Sequence, residues 1–313
     1  MLAPIVLFVY NRPWHTAQTL DALKKNDLAP ESELFIFSDG PKNGQAQEKV
    51  FEVRKYLKTV TGFKNITIIE KETNVGLANS VISGVTEIVN QYGKIIVLED
   101  DLLTSPYFLT YMNTALDLYE HEEKVMQISG YMFPVNLNTN YDAVFLPFTS
   151  SWGWATWKRA WDFFDAEASG YQILKTDKKL RNKFDLNNSY PYFHMLLKQM
   201  SHEIDSWAIR WYWSFFKVNA LCLYPKETFV LNIGMDGSGT HCKGNSITKN
   251  GVLSQNNQFV FPKEVLLDNE SFLRLCKFLK KFTNSILSSS IAKAKSFLSK
   301  VNTYLKFKRQ ENA

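Results

Sequence analysis

The sequence is poor in cysteine and contains no long hydrophobic run. Three of its 313 residues are cysteine, at Cys222, Cys242 and Cys276, and none of them forms a Cys-x-x-Cys pair. A sparse, odd set of this kind indicates a reducing compartment and argues against a disulfide scaffold or a structural zinc site. Because no window of about 18 apolar residues occurs, no segment is expected to span a membrane.

The N-terminal segment also lacks the basic residues and the cleavage pattern of a signal peptide. Its apolar run, MLAPIVLFVY, leads directly into Asn11, Arg12 and Pro13. This pattern favours a first β-strand over a targeting segment, so the protein is expected to be cytoplasmic.

Apolar and aromatic residues, by contrast, are plentiful. Residues of the apolar class make up 45% of the chain and aromatic residues 14%, with 8 Trp, 14 Tyr and 23 Phe. A chain of this length and composition can bury a sizeable core, as one large α/β domain or two smaller ones.

Strand and helix patterns alternate through the first 130 residues. This alternation predicts βαβ units and an α/β fold with a mostly parallel, Rossmann-like sheet flanked by helices. The organisation predicted is a single domain with one half at residues 1–130 and a second half at 131–262, followed by a basic helical tail at 263–313. The predicted strands are the segments PIVLFVY, ELFIFS, NITIIE, KIIVLE and KVMQIS.

Three consecutive carboxylates, Glu99, Asp100 and Asp101, follow the apolar run of the fourth predicted strand. Ligands of doubly wound sheets bind beyond the carboxyl ends of the strands, which is where this triplet lies. Clustered carboxylate oxygens suit Mn²⁺ or Mg²⁺, and these ions usually complete their coordination with phosphate oxygens. The triplet therefore predicts a metal–diphosphate site, the alternative being a solvated acidic turn.

Other polar residues follow the neighbouring predicted strands. Asp39, in the segment SDG, can accept a hydrogen bond from a ligand N–H, although Asp-Gly is also a common turn. Arg12 can pair with a phosphate or with a carboxylate, or can be a surface arginine. Asn74 and Gly76 lie at a predicted helix N-terminus, where the glycine either admits a ligand or shapes the turn.

Tryptophans and glycines dominate the motifs of the second half. Trp152 and Trp154 lie in a glycine-containing turn and are candidates to stack on a sugar, whereas Trp157 and Trp161 fit one helical face and are assigned to the core. The segment GMDGSGTHCKG is predicted to be a loop that closes over a diphosphate. Its glycine amides can form an anion nest, and a phosphate or metal contact is predicted for its histidine. The loop residues selected are Gly237, Gly239 and His241.

Taken in order, the motifs NRP, SDG, NVGLANS and LEDD resemble the nucleotide-sugar half of GT-A-fold glycosyltransferases. Within that fold the chain is similar to the N-acetylglucosaminyltransferase I family of the Golgi, which has an EDD motif. Further counterparts are SSWGWATW, EIDSW and GSGTHC. The order of motifs, which covers roughly residues 1 to 245, also resembles bacterial capsule and lipopolysaccharide glycosyltransferases.

The resemblance implies that residues 1–130 are the nucleotide-sugar-binding half of a GT-A domain and residues 131–262 its acceptor and catalytic half. It also implies roles for individual residues. Asp101 would bind the metal directly, while Asp100 and Glu99 would face the ribose and the sugar of the donor. Asp39 would read the uracil of a UDP-sugar, and Arg12 would lie near the nucleotide phosphates. Asp205 would be the general base, since an inverting displacement needs one carboxylate to accept the proton of the acceptor hydroxyl. A helix N-cap is the alternative for this aspartate.

The predicted function is accordingly a metal-dependent, inverting hexosyl- or N-acetylhexosaminyltransferase. Mn²⁺ or Mg²⁺ would be its cofactor, a UDP-sugar its donor and a hydroxyl of a surface glycan, lipid-linked or free, its acceptor. One alternative is a sugar-nucleotide-forming nucleotidyltransferase, although that class has an early glycine-rich loop that FVYNRPWHT lacks. The other alternative is a non-catalytic glycan- or membrane-binding protein of the same fold.

The positive charge of the chain is concentrated at its C-terminal end. The net charge is +5, and residues 271–313 carry ten Lys or Arg against one Glu. Apolar residues recur there at helical spacing, beginning with Leu275, Leu279 and Phe282. A basic amphipathic helix indicates peripheral binding to an anionic inner membrane face, the alternative being a helix packed on the protein itself. Nucleic acid is not expected as a partner, because no recognisable binding module occurs.

Overall fold

The computed structural model describes residues 1–237 and 251–285. Within these ranges ten strands form two sheets, one of eight strands and one of two. The strands are β1 (Ile5–Val9), β2 (Glu33–Ser38), β3 (Asn65–Glu70), β4 (Lys94–Glu99), β5 (Leu102–Thr104), β6 (Val125–Ser129), β7 (Ala143–Leu146), β8 (Trp154–Trp157), β9 (Leu221–Pro225) and β10 (Val230–Asn232).

Helices cover both faces of the eight-stranded sheet. They are α1 (Pro13–Lys24), α2 (Gly44–Leu57), α3 (Leu77–Tyr92), α4 (Phe108–Leu118), α5 (Lys158–Trp161), α6 (Ile173–Thr176), α7 (Lys178–Phe184), α8 (Tyr192–Met200), α9 (Trp207–Lys217) and α10 (269–285).

The eight-stranded sheet has the order β3-β2-β1-β4-β8-β6-β9-β7. The pairs β3–β2, β2–β1, β1–β4 and β6–β9 are parallel, and the pairs that β8 and β7 make are antiparallel. Successive residues of β1 point to opposite faces: Val6 and Phe8 pack with α3, whereas Ile5 and Leu7 pack with α1 and α2. The predicted α/β class, with a mostly parallel, Rossmann-like sheet between helices, is confirmed.

Strand β8 was not expected from the sequence. The segment Trp154–Trp157 lies between β4 and β6 and is antiparallel to both, instead of forming a turn and the start of a helix. Trp157 and Trp161 are buried, as predicted, but Trp157 belongs to this strand. Each face of β8 carries one large and one small side chain, Trp154 with Thr156 and Trp157 with Ala155, and all four residues are buried between two layers of helices.

The helix after β5 begins later than its sequence indicates. A serine followed by Pro106 is typical of a helix start, yet α4 begins at Phe108 and Ser105 is fully buried. The Ser105 hydroxyl donates instead to the backbone carbonyl of Ser254 at 2.6 Å. The hydroxyl therefore joins two distant segments rather than capping a helix.

The first part of the predicted basic tail is packed on the protein. Leu275 and Leu279 of α10 are 1% and 2% exposed and belong to the same core cluster as α9. Their place in the core favours the packed-helix alternative for residues 269–285, because a buried side chain is not available to a membrane. The rest of the tail, 286–313, lies outside the described residues. Within the described part of the chain, no helix is both long and apolar enough to cross a membrane.

Candidate functional site at the carboxyl ends of β1 and β4

The order of the first four strands defines a switch point between β1 and β4. From β1 the chain passes to β2 and β3 on one side, and then returns to place β4 on the other side of β1. Phe8 of β1 lies opposite Glu99 of β4, so both strands end at the same edge of the sheet. Crevices at such switch points are the usual ligand sites of open α/β sheets.

Arg12 is the positive partner of the acidic triplet. It follows β1, and one of its guanidinium nitrogens donates to Asp100 Oδ1 and, at 2.9 Å, to Asp101 Oδ2. All three side chains are largely buried, with 18% of Arg12 and less than a tenth of each aspartate exposed. Burial lowers the pKa of Arg12, but the charges of Asp100 and Asp101 outweigh this effect and raise it above its ordinary value.

Glu99 is electrostatically different from its two neighbours. Desolvation by the surrounding protein, reinforced by the charges of Asp101 and Asp100, raises its pKa to about 8. Arg12 and a hydrogen bond from the side chain of Trp207 oppose this shift. Burial also raises the pKa of Asp100, against the attraction of Arg12. Near neutral pH the triplet can therefore carry less negative charge than three free carboxylates.

Asp101 is enclosed by a segment far away in the sequence. β10 pairs with β5 immediately after the triplet, and the Ile233 amide donates to the Asp101 carbonyl at 2.9 Å. Asn232 Nδ2 lies 3.5 Å from Asp101 Oδ1. A Cβ at Gly234 would lie 2.1 Å from Asp101 Oδ2, so only glycine leaves room for the carboxylate.

The carboxylate of Asp39 is occupied by the protein itself. Oδ1 accepts from the amides of Gly40 and Val75, and Oδ2 accepts from Asn74 Nδ2 and the Gly76 amide, at 2.9 to 3.0 Å. A carboxylate offers about four acceptor positions. The structure thus favours a role in holding the loop 74–76 over the predicted contact with a uracil N–H.

Arg54, a largely buried arginine of α2, stabilises the same edge of the sheet. Arg54 of α2 donates to the carbonyls of Ser38, Asp39 and Lys71, with the shortest distance, 2.7 Å, to Lys71. It thereby ties the ends of β2 and β3 together. Gly76, at the start of α3, has a φ of 81°, which glycine adopts without strain. These contacts, together with those of Asp39, hold the loop containing Asn74 and Gly76 in place at the border of the site.

The segment that contains Asp205 is connected to the acidic triplet through Trp207. Trp207 is the first residue of α9, and its ring stacks on Trp154 with centroids 5.1 Å apart, while its side chain hydrogen-bonds to Glu99. Asp205 itself is 59% exposed, and its Oδ1 lies 3.0 Å from Arg210 Nη2. The cap of α9 is Ser206, whose hydroxyl accepts from the Ile209 amide, so the capping alternative for Asp205 is wrong.

The two tryptophans proposed for sugar stacking have different environments. Trp152 is partly buried, and its ring lies edge-on to Tyr131 at 4.5 Å, which leaves part of the indole accessible. Trp154 has no exposed surface and packs among Trp161, Trp207 and Trp211. A fully enclosed ring cannot stack on a ligand, so for Trp154 the structure corrects the prediction to a core role.

Of the predicted glycine-rich loop, residues 234–237 are described, and Gly237 is the one of the three selected loop residues that falls among them. It has a φ of 94° and follows a short 3-10 turn, Gly234–Asp236. Asp236 Oδ2 lies 3.1 Å from His15 Nε2, so this turn lies beside the first turn of α1. Gly239 and His241 lie outside the described residues.

The donor groups at this edge fit a hard divalent cation only if a ligand completes the coordination. Asp100 and Asp101 offer buried carboxylate oxygens, the type preferred by Mn²⁺ and Mg²⁺. The absence of a side chain at Gly234 allows the Asp101 carboxylate to lie against the backbone there. Among the described residues no cluster of three or more His, Cys, Asp or Glu side chains could hold a metal. The arrangement therefore suits a cation that takes further ligands from phosphate and water.

Several residues of this edge were not identified from the sequence. Arg54, Asn232 and Gly234 reach the site through long-range contacts that leave no local pattern, whereas Arg210 pairs with Asp205 five residues before it. The glycine in NIGMDG was the one available signal, because a glycine beside an acidic loop is compatible with a close approach.

No protein-family model matches the chain, and no curated protein sequence does so. Its structure is similar to that of a mannosyltransferase, PcManGT from Pyrobaculum calidifontis in complex with GDP-Man and Mn²⁺, at 13% identity and a TM-score of 0.36 over 50% of this chain and 45% of that chain. It is also similar to S. aureus TarS 1-349 in complex with UDP, at 15% identity and a TM-score of 0.37 over 74% of this chain and 60% of that chain. The chain thus spans no more than 60% of the length of these two neighbours. Similarity at this level does not transfer an activity or a ligand.

Proposed function

We propose that the chain is a metal-dependent, inverting glycosyltransferase that uses a UDP-sugar and transfers the sugar to a hydroxyl of a surface glycan. One observation carries the proposal: Arg12 and the carboxylates of Asp100 and Asp101 meet, buried, at the switch point between β1 and β4. A nucleotide diphosphate needs a cationic group for its phosphate oxygens and oxygen ligands for the metal ion that it carries. The guanidinium and the two carboxylates would supply these.

The donor would lie along the edge formed by β1, β2 and β4. Asp101 would ligate the cation, Arg12 would contact the phosphates, and Asp100 and Glu99 would face the ribose and the sugar. The loop at 74–76, held by Asp39, would border the nucleoside. When bound, the cation would stabilise the negative charge that develops on the leaving diphosphate.

Asp205 would act as the general base. Because Arg210 holds Asp205 Oδ1, Oδ2 is the atom proposed to accept the proton of the acceptor hydroxyl. The acceptor oxygen would then bond to the anomeric carbon as the bond to the diphosphate oxygen breaks. The bonding electrons leave with the diphosphate, and the configuration at that carbon is inverted. Trp152 would stack on a sugar at the accessible part of its ring.

The basic residues beyond position 285 are proposed to bind an anionic membrane surface, where a lipid-linked acceptor would lie. Six Lys or Arg fall in that segment, and each is worth about 1 kcal/mol near such a surface. Since Leu275 and Leu279 are part of the core, the proposal no longer includes residues 269–285.

The test is a panel of UDP- and GDP-sugars, each with and without Mn²⁺, that measures thermal stabilisation of the full chain and release of the nucleoside diphosphate. A ligand at a hundredfold excess over its Kd stabilises a protein by about 2.7 kcal/mol. We expect stabilisation by a UDP-sugar that requires Mn²⁺ and is lost in Asp101→Ala. Pyrophosphate release from a nucleoside triphosphate would instead favour nucleotidyl transfer, and no stabilisation by any nucleotide would refute the proposal.

A further inference from the structure

Arg12 occupies the position from which a cation would have to reach the carboxylates. A single guanidinium nitrogen bridges Asp100 Oδ1 and Asp101 Oδ2, the latter at 2.9 Å. The other terminal nitrogen lies beside Gly234, because a Cβ at that glycine would be 2.9 Å from Arg12 Nη1. The positive charge is thus buried between the acidic residues and the 233–234 backbone.

We propose that Arg12 is an internal counter-ion that excludes a free divalent cation from Asp100 and Asp101, so that cation and diphosphate must bind together. The inference rests on the proposed function in taking a nucleoside diphosphate as the ligand. In the free protein Arg12 neutralises part of the charge of the triplet. In the complex its guanidinium transfers to the diphosphate oxygens, and Asp101 becomes available to the cation.

Charge and geometry both support this exchange. A cation that binds Asp101 Oδ2 in the free protein must break a charge-assisted hydrogen bond and leave a buried guanidinium beside a charge of the same sign. A diphosphate relieves that repulsion, because its oxygens accept the two-pronged hydrogen bonds that arginine donates. A Cβ at Gly234 would clash with both Asp101 Oδ2 and Arg12 Nη1, so the two groups of this pair lie directly against the backbone of that glycine.

The exchange makes the two ligands thermodynamically coupled. If UDP draws Arg12 away from Asp101, UDP increases the affinity for Mn²⁺, and Mn²⁺ must increase the affinity for UDP by the same factor. Removing the guanidinium should reduce that factor and, at the same time, increase the affinity for Mn²⁺ alone. A residue that served only to bind phosphate would change UDP binding and leave the affinity for Mn²⁺ alone unaltered.

The experiment measures Mn²⁺ binding to the full chain by the loss of the free-ion electron paramagnetic resonance signal, with no nucleotide and then with saturating UDP. Arg12→Gln should bind Mn²⁺ alone at least about tenfold more tightly than wild type, since one charge-assisted hydrogen bond no longer competes. Arg12→Lys keeps the positive charge but lacks the two-pronged guanidinium, so its affinity for Mn²⁺ alone should lie between those of wild type and Arg12→Gln. The matched control is Arg274→Gln, which removes an exposed arginine that pairs with Glu270 on α10, and it should behave as wild type.

The outcomes separate this inference from the proposed function. Equal or weaker binding of Mn²⁺ by Arg12→Gln, in a variant with a wild-type circular dichroism spectrum, would overturn it. If Arg12→Gln does not fold, Arg12→Lys provides the test, and unchanged Mn²⁺ affinity in that variant would overturn the inference. A gain in Mn²⁺ affinity in a protein that binds no nucleotide would support the counter-ion role while the proposed function fails.

Discussion

Glu99, the last residue of β4, accepts a hydrogen bond from the side chain of Trp207, the first residue of α9. This bond connects the edge of the sheet that we propose as the nucleotide site to the segment that contains Asp205. Because Trp207 also stacks on Trp154 of β8, the connection is anchored in the core. Buried aromatic packing therefore holds the start of α9, two residues after the proposed base, against the sheet.

The first prediction concerns Asp205. Asp205→Asn keeps the size of the side chain and an oxygen for Arg210, but it cannot accept a proton at neutral pH. Turnover should fall by about a hundredfold or more, while UDP-sugar binding, measured by calorimetry, stays unchanged. Ser206→Ala is the control, since it removes the cap of α9 at a cost of about 1 kcal/mol in stability but leaves the base. Near-normal turnover in Asp205→Asn would place the base elsewhere.

The second prediction concerns Asp39, whose four acceptor positions are filled by N–H groups. Asp39→Asn replaces one oxygen with a donor that faces other donors, so the free energy of unfolding should fall by about 1–3 kcal/mol. UDP and GDP should lose affinity to a similar extent, because the whole loop is released. Urea unfolding and nucleotide titration measure the two effects. If Asp39→Asn lost affinity for UDP but not for GDP, a direct contact of Asp39 with uracil would be supported instead. Asp21→Asn, at an exposed position, is the control.

The third prediction concerns Gly234. A Cβ there would lie 2.1 Å from Asp101 Oδ2, so Gly234→Ala should displace the carboxylate and weaken Mn²⁺-dependent UDP binding by about tenfold or more. Gly44→Ala is the matched control, because a Cβ at that first residue of α2 meets no atom within 4 Å. Equal UDP binding by the two variants would contradict a metal role for Asp101.

The fourth prediction is a pH dependence. The pKa of Glu99 is about 8 in the folded protein, above its ordinary value of 4.5. As pH rises between these values, the unfolded chain loses a proton that the folded protein keeps, so stability falls by at most about 1.4 kcal/mol per pH unit. Glu99→Gln cannot titrate and should show a shallower decline from pH 5 to 8.

The measurement is urea unfolding in EDTA across that pH range. Asp100 and Asp101 remain in both proteins, so the difference between the two slopes reports the titration of Glu99 together with its electrostatic effect on these two neighbours. Glu87→Gln, at an exposed position of α3, is the control. Parallel slopes for wild type and Glu99→Gln would show that Glu99 is ionised in the folded protein throughout.

The fifth prediction concerns the tail. Replacing Lys293, Lys295 and Lys300 by Glu should abolish most sedimentation of the full chain with anionic liposomes at low salt, because attraction becomes repulsion. The same change in charge at Lys49, Lys55 and Lys58, three exposed residues around the second half of α2, is the control and should have little effect. Binding to neutral liposomes that is as strong as to anionic ones would argue against the electrostatic role.

Local sequence patterns were sufficient for the strands that end at the site. The segments of β1 to β4 are apolar runs followed at once by turn or charged residues, and short-range chemistry determines both features. Arg12 and the acidic triplet could be predicted to meet because neighbouring parallel strands end at one edge. The insertion of β8 could not, since WATW satisfies a helix and a buried strand equally well.

Contacts between distant segments were the other limit. An Asp-Gly pair after a strand predicts a turn or a ligand contact, and only the position of the loop at 74–76 distinguishes them for Asp39. Likewise, nothing in the sequence of α2 marks Arg54 as an anchor rather than a surface residue. Such roles follow from tertiary geometry, which pairs groups regardless of their spacing along the chain.

The short sheet of β5 and β10 has a consequence for the order of folding. It brings together residues 131 positions apart, such as Asp101 and Asn232, so the nucleation of β1 to β4 can precede its closure. Contacts between residues so far apart in the sequence form slowly, because the chain must lose the entropy of closing a large loop before the contacts can stabilise it. During synthesis the acidic triplet would emerge long before its enclosing segment does. The site proposed for the nucleotide should therefore be among the last parts of the structure to form in a refolding chain.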